Sequence, residues 1–248
     1  TFLLNDVFQI DRYDNLPGFT DASADVREAI LGEAAKLSEE VLQPLNRTGD
    51  LEGCKRHDDG SVTTPKGFKE AFKQVAEGGW LGLSAPAEYG GQGLPVTLSQ
   101  VVTEFQSAAN MAFSMYGGLT MGATAALLVH GKPEQKKMFV PKMIAGELIG
   151  AIAMTEPGAG SDLQGVTTKA VRDGDHYVIN GRKWWTSGAA DPRCKVLIFM
   201  GKTDPSNPSV HRQQSMILVP MDTPGVRVVR PVPVFGYLDE PHGHPEVD

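Results

Sequence analysis

The chain has 248 residues, of which 41% are hydrophobic and 21% charged, and its formal net charge is −7. This length suffices for one large domain or two ordinary ones, and the composition is that of a globular protein rather than a low-complexity one. The acidic balance disfavours nucleic acid as a partner, because binding to phosphates needs a basic face, and no run approaches the roughly 20 apolar residues of a membrane span.

Residues 1–24, which contain Pro17-Gly18, are predicted to form an extended arm laid on the helical domain that follows. Asp6 and Asp11 stand where a secretory signal would have basic residues and then an apolar stretch. The two cysteines lie far apart, a pattern more typical of reduced thiols than of a disulfide. We therefore expect a soluble, non-secreted protein of the bacterial cytoplasm or an organellar matrix.

Up to about residue 148 the apolar residues recur at helical spacing. The stripe over residues 26–45 predicts a first helix that ends near Pro44. Thr64-Pro65 predicts the start of a second helix, a side-chain cap followed by proline, and Gly78-Gly79 predicts its end. Further helices are predicted around 98–105, over 119–129 (apolar nearly all round, hence buried on several sides, ending at Gly131) and, as one or two short helices, over 133–146.

After residue 148 the pattern changes to short strands separated by turns. Asp173-Gly174-Asp175 and Asn180-Gly181 are typical of hairpin turns. The predicted strands cover residues 151–155, 169–172, 177–180, 196–201, 216–220 and 226–230. A helical domain over 25–148 followed by a β domain over 149–248 is a segregated α+β arrangement, and we predict an antiparallel β-barrel or sandwich for the second domain.

The first segment whose residues suit ligand binding or catalysis is MTEPGAGSD, residues 154–162. A strand is predicted to end at Thr155, and Gly158 and Gly160 can adopt positive φ, which would point backbone N–H groups into a concavity for an anion beside the Ser161 hydroxyl. A tight loop between two strands has the same composition, so this alternative stays open. The segment is not a dinucleotide fingerprint, because the strand-like TTKAV follows it instead of a helix.

The second segment is GRKWWTSG, residues 181–188. In an alternating strand Trp184 and Thr186 share one face and Trp185 takes the other. An indole beside a hydroxyl suits a flavin ring, which needs shielding from water and a hydrogen-bond partner at its edge. The alternative is that the two tryptophans only add mass to a core or an interface.

Two further segments carry no assigned chemistry. The glycine-rich stretch over residues 81–93 reads as a turn between helices, and its composition alone reveals no reaction. His242 and His244 suggest a metal site, but no cysteine or second histidine pair stands nearby at ligand spacing. We therefore predict no metal.

In this order, PAEYGGQG, MTEPGAGSDL and GRKWWTSGA resemble the acyl-CoA dehydrogenase family. The resemblance runs from about Asp25 onward, and TEPGAGSD is its most characteristic part. Members have a helical N-terminal domain, a middle β domain and a C-terminal four-helix domain, with FAD between the last two and partly across a subunit interface. The resemblance implies FAD as the cofactor, an acyl-CoA as the substrate, electron-transfer flavoprotein as the electron acceptor and a homodimer or homotetramer.

The resemblance also implies roles for single residues. Thr155, with Met154, would contact the pyrimidine end of the flavin and donate where reduction places negative charge. Thr186 would hydrogen-bond near N5, Trp184 would cover the ring, and Ser161 would touch both FAD and the acyl-CoA. The implied cofactor-binding set is Ile152, Met154, Thr155, Gly160, Ser161, Trp184, Trp185 and Thr186. Family members often have an aromatic residue at the first of these positions and isoleucine at the position of Trp185.

The family reaction removes a proton next to the thioester with a carboxylate and passes a hydride from the next carbon to flavin N5. The resemblance places this carboxylate on the C-terminal helical domain. We therefore expect the catalytic base outside these residues, an incomplete middle domain and little turnover by this chain alone, and we assign no base to Glu88 or Glu156. The alternative is a non-catalytic homologue that binds FAD or CoA or pairs with full-length subunits, and oxidases and monooxygenases share the scaffold.

The two halves resemble different branches of the family. The first half, with LPGFTDAS, resembles long dehydrogenases that act on methylthioalkanoyl-CoAs and related acyl-CoAs. The second half, with DPRCKVLIFMGKTDP, resembles a branch that acts on bulkier or branched acyl-CoAs and is sometimes fused to a phosphotransferase-like domain. The join falls near residues 146–149. A natural intermediate subfamily, a recombinant chimera and an assembly artefact all remain open.

Overall fold

A computed structural model describes residues 1–57, 61–232 and 245–248. The chain folds into two compact units: Thr1–Met121 with Leu127–Gly146, and Gly122–Ala126 with Glu147–Asp248. The first is helical and the second is built around a sheet, so the predicted α+β class is confirmed. The helices are α1 (Ala24–Lys36), α2 (Gln43–Glu52), α3 (Phe68–Glu77), α4 (Val96–Ala109), α5 (Met111–His130) and α6 (Pro133–Ile144), with a small hairpin of β1 (Lys55–Arg56) and β2 (Val62–Thr63).

The first helical stripe continues past the proline at which it was predicted to end. A π-helical turn, Leu37–Leu42, joins α1 to α2, and the helix ends only at Gly53. Proline lacks an N–H group and clashes with the preceding turn of an α-helix. Here the wider π-turn precedes Pro44, and Pro44 lies in the first turn of α2.

The start of α3 also differs from the prediction, whereas its end at Gly78-Gly79 is confirmed. The helix begins at Phe68 after Gly67, not at a Thr64 cap. Gly67 has a φ of +88°, and a Cβ atom there would lie 2.7 Å from the Leu45 side chain. The left-handed backbone favours glycine, so the turn before α3 is set by Gly67.

The N-terminal residues are not an extended arm. They form a π-helical turn, Leu3–Val7, and a 3-10 turn, Ile10–Tyr13. The predicted contact with the helical unit is present, because buried residues of these turns join one core cluster with residues of α1, of α4 and of the segments between the helices: Leu4, Ile10, Ala22, Leu31, Ala34, Leu83, Leu94, Leu98 and Val102. The arm is therefore packed as part of the helical unit.

The long helix α5 has one buried face rather than several. Thr120, Ala123, Thr124 and Leu127, spaced up to four residues apart, are buried, whereas Met115 is 64% exposed. By length and apolar composition alone, α5 is able to cross a membrane. A core helix of a soluble protein passes the same test, so this is weak evidence, and the expected absence of a membrane span stays a prediction.

The second unit holds a five-stranded sheet and a separate two-stranded pair. The strands are β3 (Ile149–Ala153), β4 (Lys169–Asp173), β5 (His176–Asn180), β6 (Cys194–Lys202), β7 (Gln214–Pro220), β8 (Val228–Pro231) and β9 (Pro245–Val247). The first six of these lie where strands were predicted. The β4–β5 hairpin turns at Gly174, which has a φ of +57°, as expected.

The sheet is mixed, so the prediction of a purely antiparallel domain is wrong. Strand β6 runs parallel to β3 and to the start of β4, and antiparallel to β7. The β4–β5 hairpin lies between β3 and β6 in sequence and returns the chain, so that β6 follows β3 in the same direction. The described residues form a sandwich-like arrangement and do not establish a closed barrel.

The second predicted hairpin turn, Asn180-Gly181, is not a hairpin. After β5 the chain leaves the sheet, and the next paired residue, Lys183, bridges to Val247 of β9. A Cβ atom at Gly181 would lie 2.3 Å from the Thr168 side chain, so glycine permits a close crossing at this point. This crossing brings the segment after β5 next to the segment before β4.

Candidate functional site

The loop after β3 is a tight turn rather than an anion-binding concavity. Strand β3 ends at Ala153, and the N–H groups of Glu156 and Ala159 each donate to the other residue's carbonyl, at 2.9 and 3.1 Å. Neither Gly158 nor Gly160 has positive φ, so the predicted nest of N–H groups is wrong. The two reciprocal hydrogen bonds close the turn and use backbone groups that the nest would have needed.

The carboxylate of Glu156 points inward and is saturated with donors. One oxygen accepts from the Thr167 N–H at 2.7 Å and the Thr167 hydroxyl at 2.8 Å. The other accepts from the Thr168 N–H at 3.0 Å, from the Thr168 hydroxyl and from the Lys183 ammonium at 2.8 Å. These donors fasten the loop after β3 to the segment that leads into β4.

The same donors keep Glu156 ionised although it is buried. Burial alone would raise the pKa of Glu156, but hydrogen bonds from Lys183, Thr168 and Thr167 outweigh burial and lower that pKa to about 2. Burial lowers the pKa of Lys183, and its hydrogen bond to Glu156 opposes that change. The carboxylate is therefore a fixed structural anion with a weak affinity for protons.

Lys183 joins the two segments that carry the candidate flavin residues. Its ammonium group also donates to the Met154 carbonyl at 2.8 Å and lies 5.2 Å from the centre of the Phe199 ring. One residue further, the Trp184 N–H donates to the Thr155 carbonyl at 2.8 Å. Residues 154–156 and 183–186, separated by a hairpin in the sequence, therefore lie side by side.

The segment with the two tryptophans is not an alternating strand. Only Lys183 forms a β-bridge among the described residues of this segment, and Trp185 has a φ of +56°, in the left-handed region. This backbone turns the Trp185 ring toward Trp184: the ring centroids are 5.1 Å apart and the planes differ by 47°. The expected placement of the two indoles on opposite faces is wrong, because the left-handed residue breaks the alternation.

Thr186 is fully buried, and its two polar groups have different surroundings. Its N–H group donates to the Pro245 carbonyl at 2.9 Å. Its hydroxyl is buried and has no hydrogen-bond partner among residues 1–57, 61–232 and 245–248. Buried hydroxyls are rarely left unpaired, because desolvation without a hydrogen bond is costly.

The remaining candidate residues lie in the same unit but differ in exposure. Ile152, Met154 and Thr155 are partly buried, as are both tryptophans, whereas Gly160 and Ser161 are exposed on the loop. The structure therefore brings the two motifs together, and their contacts with a cofactor stay a prediction. Sequence reasoning missed the network of Glu156, Thr167, Thr168 and Lys183 because its members are far apart in sequence.

The third segment, the glycine-rich loop before α4, contributes to packing. A Cβ atom at Gly91 would lie 2.0 Å from the Ala85 carbonyl oxygen, and the Gly93 N–H donates to that same oxygen at 2.9 Å. The loop folds back on itself too closely for a side chain, and Glu88 is exposed on it. A structural role accounts for this motif in the helical unit.

The two histidines that suggested a metal site lie outside the described residues. His242 and His244 lie in the range 233–244, which the structure does not describe. Within the rest of the chain, apart from residues 58–60, no group of three or more His, Cys, Asp or Glu side chains is arranged to hold a metal ion.

Comparison with known proteins identifies both units. The sequence model of the acyl-CoA dehydrogenase N-terminal domain matches residues 25–147, and that of the acyl-CoA dehydrogenase middle domain matches residues 151–248. A curated relative, acyl-CoA dehydrogenase family member 11 of Gallus gallus, is 52% identical over 123 residues, which are 49% of this chain and 16% of that protein. A probable acyl-CoA dehydrogenase of Mycobacterium tuberculosis is 52% identical over 51% of this chain and 31% of its own length. The chain thus spans a third or less of these curated relatives.

Solved structures match over nearly the whole chain. The acyl-CoA dehydrogenase of Bacillus anthracis complexed with FAD has 26% identity and a TM-score of 0.68, over 92% of this chain and 35% of that one. The ChsE4–ChsE5 complex of Mycobacterium tuberculosis has 29% identity and a TM-score of 0.68, over 89% of this chain and 52% of that one.

Proposed function

Because this chain belongs to the acyl-CoA dehydrogenase family, we propose that its β unit forms the flavin-binding part of an FAD-dependent acyl-CoA dehydrogenase. The observation that carries the proposal is the hydrogen bond between the Trp184 N–H and the Thr155 carbonyl, which sets the two motif segments side by side. The solved relative that is complexed with FAD supports the choice of cofactor.

The residues present fit a flavin. The buried Thr186 hydroxyl lacks a partner among the described residues, and a hydrogen bond to the edge of a flavin ring would satisfy it. Two partly buried indoles stand next to it in the chain, and the carboxylate of Glu156 is turned away into its own network. FAD, when bound, supplies the hydride acceptor N5.

The chain's own side chains have separate tasks in this proposal. Thr186 hydrogen-bonds near N5, and Thr155, with Met154, donates at the pyrimidine end, where a fixed donor stabilises developing negative charge. Trp184 covers the ring and excludes water. The other cofactor-lining positions are Ile152, Gly160 and Ser161, whereas Trp185, the last member of the predicted set, contacts the ring of Trp184.

The substrate in this proposal is an acyl-CoA thioester, and exposed Ser161 contacts both ligands. Glu156 has no part in proton abstraction. A general base must accept a proton near working pH, whereas the pKa of Glu156 is about 2 and its oxygens are occupied by hydrogen-bond donors. Glu156 instead holds the loop that presents Ser161.

Electron-transfer flavoprotein as the electron acceptor and a homo-oligomeric state are also part of the proposal. Support for assembly comes from the ChsE4–ChsE5 relative, which is a complex. The oligomeric state is measured by sedimentation of the protein, with and without FAD, in an analytical ultracentrifuge.

A flavin titration tests the proposal. We expect the protein to retain FAD after desalting and to show its visible absorption band. Because the general base is expected outside these residues, we expect little or no bleaching of this band by a graded series of acyl-CoA thioesters, and appreciable bleaching would contradict that expectation about the base. A colourless protein would contradict the flavin-binding role.

A further inference from the structure

Trp185 is held in a backbone conformation that tryptophan rarely adopts. Its φ of +56° lies in the left-handed region, which costs free energy in any residue with a Cβ atom and is tolerated best by glycine, asparagine and aspartate. Among the residues described in the second unit, it is the only one other than glycine with positive φ. Such a conformation persists only where the surroundings hold it in place.

Hydrogen bonds on both sides hold this backbone. On one side Lys183 exchanges two backbone bonds with Val247, at 2.8 and 2.9 Å, and the Trp184 N–H is bonded to Thr155. On the other side the Thr186 N–H is bonded to the carbonyl of residue 245 at 2.9 Å. The chain must therefore turn within a single residue between two fixed points, and that residue is Trp185.

The consequence of the turn is the contact between the two indoles. The ring centroids are 5.1 Å apart and the ring planes differ by 47°, which is in the range of favourable aromatic pairs. In a regular strand the two side chains would point to opposite faces and would not meet. The left-handed backbone of Trp185 therefore brings its ring into contact with the ring of Trp184.

We propose that Trp185 is a positioning residue, whose indole fixes the ring of Trp184 in the orientation in which Trp184 covers the flavin. This inference rests on the proposed function, because it assigns Trp185 a task at the same site. It differs from a direct cofactor contact, since Trp185 acts through Trp184.

The first test needs no flavin. The sequence has three tryptophans, so in a Trp80→Phe background, replacement of Trp185 leaves Trp184 as the only tryptophan of the 248-residue sequence. We compare Trp185→Phe, which keeps an aromatic neighbour, with Trp185→Asn, which suits a left-handed backbone but removes the ring. We expect Trp184 to stay immobile in the Trp185→Phe variant and to gain a fast component of fluorescence anisotropy decay in the Trp185→Asn variant. Equal mobility in the two variants would overturn the proposal.

The second test measures FAD affinity in a double-mutant cycle. Trp185→Asn is expected to weaken FAD binding by roughly three- to tenfold, the size of one aromatic pair. The same change should have no effect in a Trp184→Ala background, where no ring is left to orient. Equal effects in both backgrounds would show that Trp185 acts by itself and would overturn the proposal.

A matched control variant completes the design, and one outcome separates failure of this inference from failure of the proposed function. Tyr177, an exposed aromatic residue of β5, is replaced by asparagine and is expected to leave both readouts unchanged. If the protein binds no FAD, the proposed function fails, whereas the anisotropy comparison still decides whether Trp185 fixes Trp184. Thermal melting of each variant identifies any that do not fold; if Trp185→Asn is one of them, Trp185→Leu, which also lacks a ring, replaces it in the comparison with Trp185→Phe.

Discussion

The ammonium group of Lys183 lies 2.8 Å from a carboxylate oxygen of Glu156, and both side chains are only 4% exposed. The pair joins two segments that are 27 residues apart in sequence. Because Lys183 also donates to the Met154 carbonyl, one side chain ties the first motif to the start of the second. This pair is the structural support of the candidate flavin site.

Breaking this pair should destabilise the second unit. Lys183→Met keeps the length of the side chain but leaves a buried carboxylate without its cation, for which we expect a loss of about 3 kcal/mol in unfolding free energy. The change is measured by urea unfolding followed by circular dichroism. Lys195→Met, at an exposed lysine of β6, is the control; equal losses in the two variants would contradict the assigned role of Lys183.

The coupling of the two residues is measured with a second variant. Glu156→Gln removes the charge, and the double variant should lose less than the sum of the two single losses, by about 1 kcal/mol or more. Additive losses would show that the ion pair does not couple the two segments.

The unfolding free energy should fall steeply in acid because of Glu156. Its pKa is lowered to about 2 in the folded protein, from 4.5 for an unperturbed glutamate. A carboxyl with a lowered folded-state pKa stabilises the fold above the unfolded value, and this contribution is lost as the pH falls from about 4.5 toward 2. The contribution at neutral pH is on the order of 3 kcal/mol.

Urea unfolding between pH 6 and about 2.5 measures this dependence. The difference in stability between the native protein and Glu156→Gln should shrink as the pH falls through this window. Glu104→Gln, at an exposed position of α4, provides the comparison. A difference that is constant with pH would contradict the assigned ion pair.

The glycine-rich loop before α4 should not tolerate a side chain at Gly91. The added Cβ atom would lie 2.0 Å from the Ala85 carbonyl oxygen, so the backbone must shift, and we expect Gly91→Ala to cost about 3 kcal/mol. Gly118, in helix α5, has open space around it, so Gly118→Ala should stabilise by about 0.5–1 kcal/mol. Thermal melting compares the two; equal shifts would rule out the close approach.

The N-terminal turns should detach when their ion pair is removed. Arg27 is 3% exposed, and its guanidinium donates to the Ala22 carbonyl at 2.7 Å and to Asp11 at 2.6 Å. Asp11→Asn removes the negative partner of this buried cation, so trypsin should cleave after Arg12 faster than in the native protein. Asp14→Asn, at an exposed position in the same segment, is the control; equal cleavage rates in both variants would contradict this role of Arg27.

Several parts of the fold followed from local patterns. The strand positions were predicted correctly because alternation and the Asp173-Gly174-Asp175 turn are local signals. The end of α3 at Gly78-Gly79 was predicted for the same reason. The end of the first helix was predicted wrongly, because a π-helical turn before Pro44 has no distinctive sequence.

The site depends on relationships that no local pattern contains. Glu156 and Lys183 meet only because the β4–β5 hairpin returns the chain and Gly181 permits the crossing over Thr168. The alternation rule placed Trp185 opposite Trp184, whereas hydrogen bonds from more distant residues force its backbone into the left-handed region. The motifs themselves were visible in the sequence, and the network that holds them was not.

The most direct measurement of the central claim is the effect of Thr186→Val on the protein with and without FAD. Valine has the shape of threonine without its hydroxyl, which is buried and unpaired among the described residues. Without FAD we expect the unfolding free energy to stay constant or to rise by up to about 1 kcal/mol, and with FAD we expect the affinity to fall by roughly three- to tenfold. Thr203→Val, at a hydroxyl that pairs with Ser215, is the control for FAD affinity. An unchanged FAD affinity in Thr186→Val, together with a loss of stability in the FAD-free protein, would contradict the account.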